Sequence, residues 1–268
     1  MATLVFFHAH PDDEAIATGG SMAAAADAGH RVVLIVATRG EEGEVAEGFL
    51  SDGETLAEVR ERETCAAAAI LGSARVHFLG YRDSGMIGEA ANEHPDSFWQ
   101  ADVEDAAAQV ATILEEEQAD VLTVYDDHGG YGHPDHIQVH RVGHRAAEMA
   151  DTPRVLEATM NRDLVRRWRT MMQDEGGDMA TAADADDPEW EAIGLPDAQL
   201  TTAVDVVSLI DRKRQAMAAH GSQIDDDSWF FRLPPDAFVM AFGTEWYRRT
   251  RPAFDGRLPE HREHGLLG

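Results

Sequence analysis

The chain of 268 residues has one cysteine, Cys65, and one lysine, Lys213. A single cysteine excludes an intrachain disulfide and fits a reducing compartment, so a cytoplasmic location is expected. Cys65 lies in the alanine-rich run TCAAAAILG and reads as a small helix-packing residue rather than a thiol nucleophile. No apolar run approaches the ~20 residues that a membrane span needs. The chain enters an apolar pattern at residue 3 without a basic leader, so no secretory signal is expected. Basic side chains are scarce: 22 Lys and Arg stand against 50 Asp and Glu, for a net charge of −28. Phosphate backbones and anionic membrane surfaces would be repelled, which excludes both as expected partners. A G-x-G-x-x-G turn is missing after the first strand pattern, which excludes a dinucleotide-binding domain.

Apolar residues make up 44% of the chain, enough for a full core, and the length suits one large α/β domain or a domain with an appendage. Strand patterns fall at 3–7, 31–38, 75–80 and 120–125. Helical patterns fall at 15–28, 54–71 (with Gly72 as its stop), 99–117 and from Pro134 onward. This alternation predicts a mainly parallel sheet covered on both faces. Beyond residue 151 the pattern is less regular. RVLEATM predicts a strand, 161–173 a helix, TTAVDVV a strand and 208–220 a helix, while the acidic, Gly- and Pro-containing stretch 174–198 reads as an irregular insertion. Residues 1–150 are therefore read as the Rossmann-like core, and 151–268 as a smaller part that completes it within one continuous domain.

The stretch VFFHAHPDDEAIATGG, residues 5–20, carries an apolar strand into a cluster of His8, His10, Asp12, Asp13 and Glu14. Ligands gather beyond the carboxyl ends of strands in parallel sheets, so metal-binding groups at such an end suggest a reactive centre. Nitrogen and oxygen donors without thiolates suit zinc or a similar divalent ion. A second cluster, GHPDHIQVH, offers His133, Asp135, His136 and His140, of which the last two share a helix face. Alone, HPDDE could be a helix N-terminus and HPDH a capped turn. Two such clusters, each at a strand-to-helix junction, point instead to one metal site.

HAHPDDE and GHPDH together resemble the PIG-L/LmbE family of metal-dependent de-N-acetylases of N-acetylglucosamine conjugates. TRGEEGEV, YRDSGM, YDDHGGYGHPDHIQVH and AAHGSQID further resemble the branch that holds the mycothiol-biosynthesis deacetylase and the mycothiol S-conjugate amidase. The resemblance implies a Rossmann-like α/β sheet with an open metal cleft. It makes His10, Asp13 and His136 the ligands of one divalent ion, Zn²⁺ with Fe²⁺ or Co²⁺ as alternatives. It makes Asp12 the general base, His133 the group that stabilises the oxyanion, and Asp135 the carboxylate that orients His133. Tyr131, between Gly130 and Gly132, is expected to swing over the metal as a further oxyanion donor, on a loop that Gly129, Gly130 and Gly132 make mobile. Glu44, Arg60 and Asp83 are implied as sugar or inositol contacts, with an exposed ion pair to Glu61 or Glu63 as the plainer role of Arg60. His8 and His140 read as packed or supporting histidines, and Glu14 as support for the turn.

The expected reaction is removal of acetate from N-acetylglucosaminyl-inositol or a similar small amino-sugar conjugate, with metal-activated water attacking the amide. The competing reaction is amide cleavage in mycothiol S-conjugates. A non-catalytic, metal-dependent glycan-binding protein is the competitor from another class, although it would be expected to have lost Asp12 or His133. The segment 174–198 matches no family pattern and leaves the exact substrate open, as the sequence leaves open a homo-oligomeric state.

Overall fold

The side chains of Thr3–His8, strand β1, alternate between two apolar layers: Leu4 and Phe6 enter one, Val5 and Phe7 the other. Burial on both faces is why the strand reads as an unbroken apolar run. The computed structural model describes residues 1–46, 48–174, 193–225 and 227–268. Around β1 lie β2 (Arg31–Thr38), β3 (Arg75–Tyr81), β4 (Val121–Tyr125), β5 (Arg154–Thr159), β6 (Thr202–Asp205) and β7 (Thr244–Arg251), in the order β3-β2-β1-β4-β5-β7-β6. β1 to β5 are mutually parallel, and β7 runs antiparallel to β5 and β6. The chain leaves β1 for β2 and β3 on one side, then returns to β4 on the other. The loops after β1 and β4 therefore emerge side by side at the point where the strand order reverses, the usual place for a site in such sheets.

Helices α1 (Asp13–Ala17), α2 (Gly19–Asp27), α3 (Leu56–Leu71) and α7 (Ile210–Ala218) belong to one side of the sheet, while α4 (Val103–Glu117) and α5 (Pro134–Met149) cover the other. α6 (Arg162–Asp174) follows β5, and the short α8 (Trp229–Arg232) and α9 (Pro235–Phe242) precede β7. Helix α3 begins at a capping box between Thr55 and Glu58 and stops at Gly72, whose φ of 82° is left-handed, as its sequence predicts. Pro134 opens α5, also as expected. Among the described residues no helix is long and apolar enough to cross a membrane.

Several boundaries differ from the sequence expectation. The single helix expected at 15–28 is two, broken at Thr18, whose hydroxyl donates to the Glu14 carbonyl. Helix α4 starts at 103 rather than 99, because Asp102 caps it by accepting from the N–H groups of Glu104 and Asp105. Cys65 is exposed on α3 rather than packed. Of the stretch 174–198 expected to be irregular, residues 175–192 lie outside the described residues, and Leu195 bridges to Asn161.

Strand β7 was not expected at all. One of its buried positions is charged: Glu245 accepts from the N–H groups of Gly20 and Ser21 at 2.8 Å each, and from Lys213 Nζ at 2.6 Å. The only lysine of the chain is thus buried, neutralising a carboxylate that caps α2. Gly20 is required at that contact, since a Cβ there would lie 2.4 Å from Val206. Removing one partner of a buried ion pair leaves the other uncompensated, so Glu245→Ala should cost roughly 3–5 kcal/mol in urea unfolding. Cys65→Ser, on the exposed face of α3, should stay within about 0.5 kcal/mol of the parent.

Candidate metal centre

The loops that follow β1, β2, β3 and β4 all contribute to one cluster at the carboxyl edge of the sheet. After β1, the chain turns at Asp12, which has φ 97° and ψ −31°, a left-handed conformation that a short acidic residue tolerates better than most. The turn is held on three sides. The Asp12 N–H donates to Glu14 Oε2 (3.1 Å), its carbonyl accepts from Ala15 and Ile16, and the Arg60 guanidinium donates to the Pro11 carbonyl and to Asp12 Oδ2 (3.3 Å). Its consequence is that Asp12 and Asp13 serve different neighbours.

Asp13 Oδ2 accepts from the His10 N–H at 2.8 Å and lies 3.4 Å from His10 Nδ1 and 3.3 Å from His136 Nε2. Ligand atoms on a tetrahedral ion with bonds of about 2.0–2.1 Å stand about 3.3–3.4 Å apart. His136 Nε2 is buried and has no hydrogen bond, an orphan that a cation would satisfy. The donor set, and its spacing on either side of Asp13, therefore fit a divalent metal. Ring nitrogens of His10, His133 and His136 also fall within 4.8 Å of one another. His133 is otherwise engaged, because its Nδ1 accepts from the Asp135 N–H (3.2 Å) and caps α5. That bond leaves the Nδ1 lone pair occupied and puts the proton of a neutral imidazole on Nε2.

Asp135 does not do what the sequence suggests. Its carboxylate meets His10 Nε2 at 3.1 Å and accepts from the Ser84 N–H (2.9 Å) and hydroxyl; its backbone, rather than its side chain, serves His133. The reason is helical geometry: a residue two places after the cap offers its N–H back to the cap, while its side chain points into the fold. Asp83 Oδ1 also approaches His10 Nε2, at 3.4 Å, so His10 has carboxylates at both ring nitrogens. Such carboxylate contacts fix the orientation of a metal-binding imidazole.

Electrostatics follow this packing. Burial works against protonation of His10, yet Asp83, Asp13 and Asp135 raise its pKa well above the ordinary imidazole range. Burial likewise opposes ionisation of Asp13 and Asp83, and the facing histidines hold both below the usual carboxylate range. Asp12 behaves differently: burial pushes it up to about 6 against the pull of Arg60. Burial, followed by the nearby His10 and His136, takes His133 down to about 3, so it is neutral.

The remaining expected residues divide. Tyr131 is half exposed on its glycine loop, its ring centroid 5.0 Å from His136 and 6.3 Å from His133. Gly129, with φ 68°, passes so close to His136 that a Cβ would lie 2.6 Å from that residue's own Cβ. Arg60 is buried beneath Asp12 rather than exposed; Glu61 pairs with Arg39, and Glu63 accepts from Ser222. Asp83 is buried and accepts from the Gly85 N–H (2.9 Å), and Glu44 is exposed. His8 is satisfied by Tyr125 Oη (2.7 Å) and Thr18 Oγ1 (2.8 Å). A cavity of about 450 Å³ opens nearby, lined by Glu41, Arg82, His94 and Asp96; Glu41 is tied to the site by accepting from the Asp83 N–H.

The GlcNAc-PI de-N-acetylase (PIG-L) family profile matches residues 5–147, just over half of the chain and both histidine–aspartate motifs. The chain belongs to the PIG-L family. Its curated relatives are named as deacetylases, and the chain is an enzyme of the N-deacetylase class. It is 40% identical over 272 residues to the 1D-myo-inositol 2-acetamido-2-deoxy-alpha-D-glucopyranoside deacetylase of Acidothermus cellulolyticus, covering 96% of this chain and 93% of that one. Among solved structures, N,N'-diacetylchitobiose deacetylase from Pyrococcus horikoshii aligns with a TM-score of 0.58 at 23% identity, over 92% of this chain and 83% of that one. The 4-carboxy-2-hydroxymuconate hydratase of Pseudomonas putida aligns with a TM-score of 0.55 at 18% identity, over 96% of this chain and all of that one. The PIG-L fold thus carries more than one chemistry, and the side chains at the sheet edge must decide between them.

Three participants of this PIG-L site escape sequence reading. His220 Nε2 meets Glu14 Oε1 at 2.6 Å, completing the support of the Asp12 turn, and Ser84 holds Asp135. The Tyr125 ring stacks on His136, centroids 4.2 Å apart and 9° from parallel. Each lies in a family-like stretch, His220 in AAHGSQID, Ser84 in YRDSGM and Tyr125 at the head of YDDHGGYGHPDHIQVH, but nothing local to those stretches says which group it contacts. Because Asp135 orients His10, Asp135→Asn should weaken metal binding by about 10–100-fold in a competition titration with a chromogenic chelator. Unchanged affinity would show that the carboxylate is dispensable there.

Proposed function

We propose that this chain removes the acetyl group from N-acetylglucosaminyl-inositol, or a closely similar N-acetylglucosamine conjugate, by metal-dependent hydrolysis. The observation that carries the reading is the position of Asp13 Oδ2 between His10 Nδ1 and His136 Nε2, with the Asp12 carboxylate on the neighbouring residue left outside that triangle. The name of the Acidothermus relative, with its matching length and 40% identity, supports the inositol-linked substrate.

His10, Asp13 and His136 would hold the ion, and zinc suits the set best, with Fe²⁺ or Co²⁺ accepted by the same donors. When bound, the metal supplies Lewis acidity toward the amide carbonyl and a lowered pKa for water. Asp12 takes the proton from the attacking water and later delivers it to the departing amine. Arg60 keeps the carboxylate of Asp12 aimed, and Glu14 with His220 keeps the turn from relaxing. His133 offers its Nε2–H to the oxygen on which charge develops, and Tyr131 can add a second donor from its glycine loop.

Substrate recognition is redistributed relative to the sequence expectation. Arg60 and Asp83 act beneath the site, and the exposed Glu44 is left as an acceptor for polyol hydroxyls. An exposed Cys65 thiol fits a reducing compartment, in line with a cytoplasmic enzyme.

The test is primary-amine release by metal-loaded protein from N-acetylglucosaminyl-inositol, N-acetylglucosamine, N,N'-diacetylchitobiose and a mycothiol S-conjugate. The first should be hydrolysed fastest, and chelation should abolish the signal. Asp12→Ala should lower kcat by at least about 10²-fold, the usual contribution of a positioned base, with metal content unchanged. Normal turnover by Asp12→Ala would remove the assigned base, and preference for the mycothiol conjugate would reassign the enzyme as an amidase.

A further inference from the structure

Helix α5 carries three histidines at four-residue intervals: His136, His140 and His144. The first reaches the centre described above, and the other two turn toward β5. There, His144 Nε2 lies 3.0 Å and His140 Nδ1 3.5 Å from the same oxygen, Oε1 of Glu157. The two imidazoles meet edge to face with centroids 4.5 Å apart. One ring nitrogen of each and a carboxylate oxygen of Glu157 fall within 4.8 Å of one another. Two histidines one turn apart on a helix, with a carboxylate from the adjoining strand, provide the nitrogen and oxygen donors that zinc and its neighbours prefer.

Charge balance alone does not account for this arrangement. Glu157 is already neutralised by Arg248, whose Nε donates to Oε2 at 2.5 Å. That contact anchors one oxygen and turns the other toward the histidines. The Nδ1 of His140 donates to the Tyr125 carbonyl at 3.1 Å, and because a carbonyl only accepts, the nitrogen that keeps a lone pair for an ion is Nε2 rather than the Nδ1 that stands 3.5 Å from Glu157. Burial, and then the neighbouring His144, lower the pKa of His140, which keeps it neutral. Burial opposes ionisation of Glu157, but His144 and Arg248 hold it charged. The carboxylate is almost fully buried, whereas the two histidine side chains are 22% and 29% exposed, so an ion could enter from solvent.

We propose that His140, His144 and Glu157 form a second divalent-metal site, suited to Zn²⁺ or Co²⁺ and separate from the His10–Asp13–His136 centre. The two are joined through Tyr125, which holds His140 by its carbonyl and stacks on His136 by its ring. An ion at the second site would therefore brace the residue against which the first centre is packed.

The experiment uses the full chain, stripped with a chelator, dialysed and titrated with Co²⁺. Bound cobalt is counted by elemental analysis and followed by its visible absorption. The wild type should take two equivalents. His144→Ala and Glu157→Gln should each keep one, while the double variant His10→Ala/His136→Ala should lose the other and keep this one. Crystals grown with Co²⁺ should give an anomalous peak among His140, His144 and Glu157, a readout that needs no substituted protein. A single equivalent in the wild type, or a second one that persists at unchanged affinity in both His144→Ala and Glu157→Gln, overturns the proposal.

Discussion

Buried carboxylates need positive charge or hydrogen-bond donors, and in this chain that requirement organises nearly everything at the sheet edge. With one lysine and a net charge of −28, the protein has few mobile cations to spend on its interior. Each buried acid is answered by a specific group instead. Glu245 has Lys213 and two helix N–H groups, Glu14 has His220 and the Asp12 N–H, and Asp135 has Ser84 and His10. Asp13 faces two imidazoles, one with an unbonded buried nitrogen. A cation placed there completes a pattern that the remainder of the fold already follows.

The same requirement explains what the sequence could and could not tell. HAHPDDE and GHPDH were legible because each is a contiguous motif at a strand end, and the parallel order of β1 and β4 then brings them together. The strands β1 to β5 were legible as apolar runs, since both of their faces are covered. Contacts made at long range were not. Asp135 reaches back 125 residues to His10, His220 reaches 206 residues to Glu14, and Glu245 reaches 225 residues to Gly20. Strand β7 escaped for the same reason, since its inward Glu245 makes sense only beside Lys213.

Arg60 shows how a residue's place in the fold can differ from the reading of its helix alone. Its place in the family pattern suggested a substrate contact, and its helix suggested an exposed ion pair. Instead it lies under the Asp12 turn, bonded to the carbonyls of Pro11 and Gly40. Gly40 has to be glycine for this, because a Cβ would come within 2.2 Å of the guanidinium. Arginine suits the position better than lysine, since a planar fork can serve several acceptors while a point charge cannot. The residue therefore fixes the shape of the loop that carries Asp12.

The burial of Lys213 also bears on the covalent chemistry of the surface. Lysine is the residue that acetylation, ubiquitination and amine-directed reagents address, and the native exterior of this protein presents no lysine side chain to any of them. Modification at Lys213 accordingly reports that the contact between α7, α2 and β7 has opened. A single lysine amine, enclosed by the fold, becomes an internal marker of whether the chain is folded.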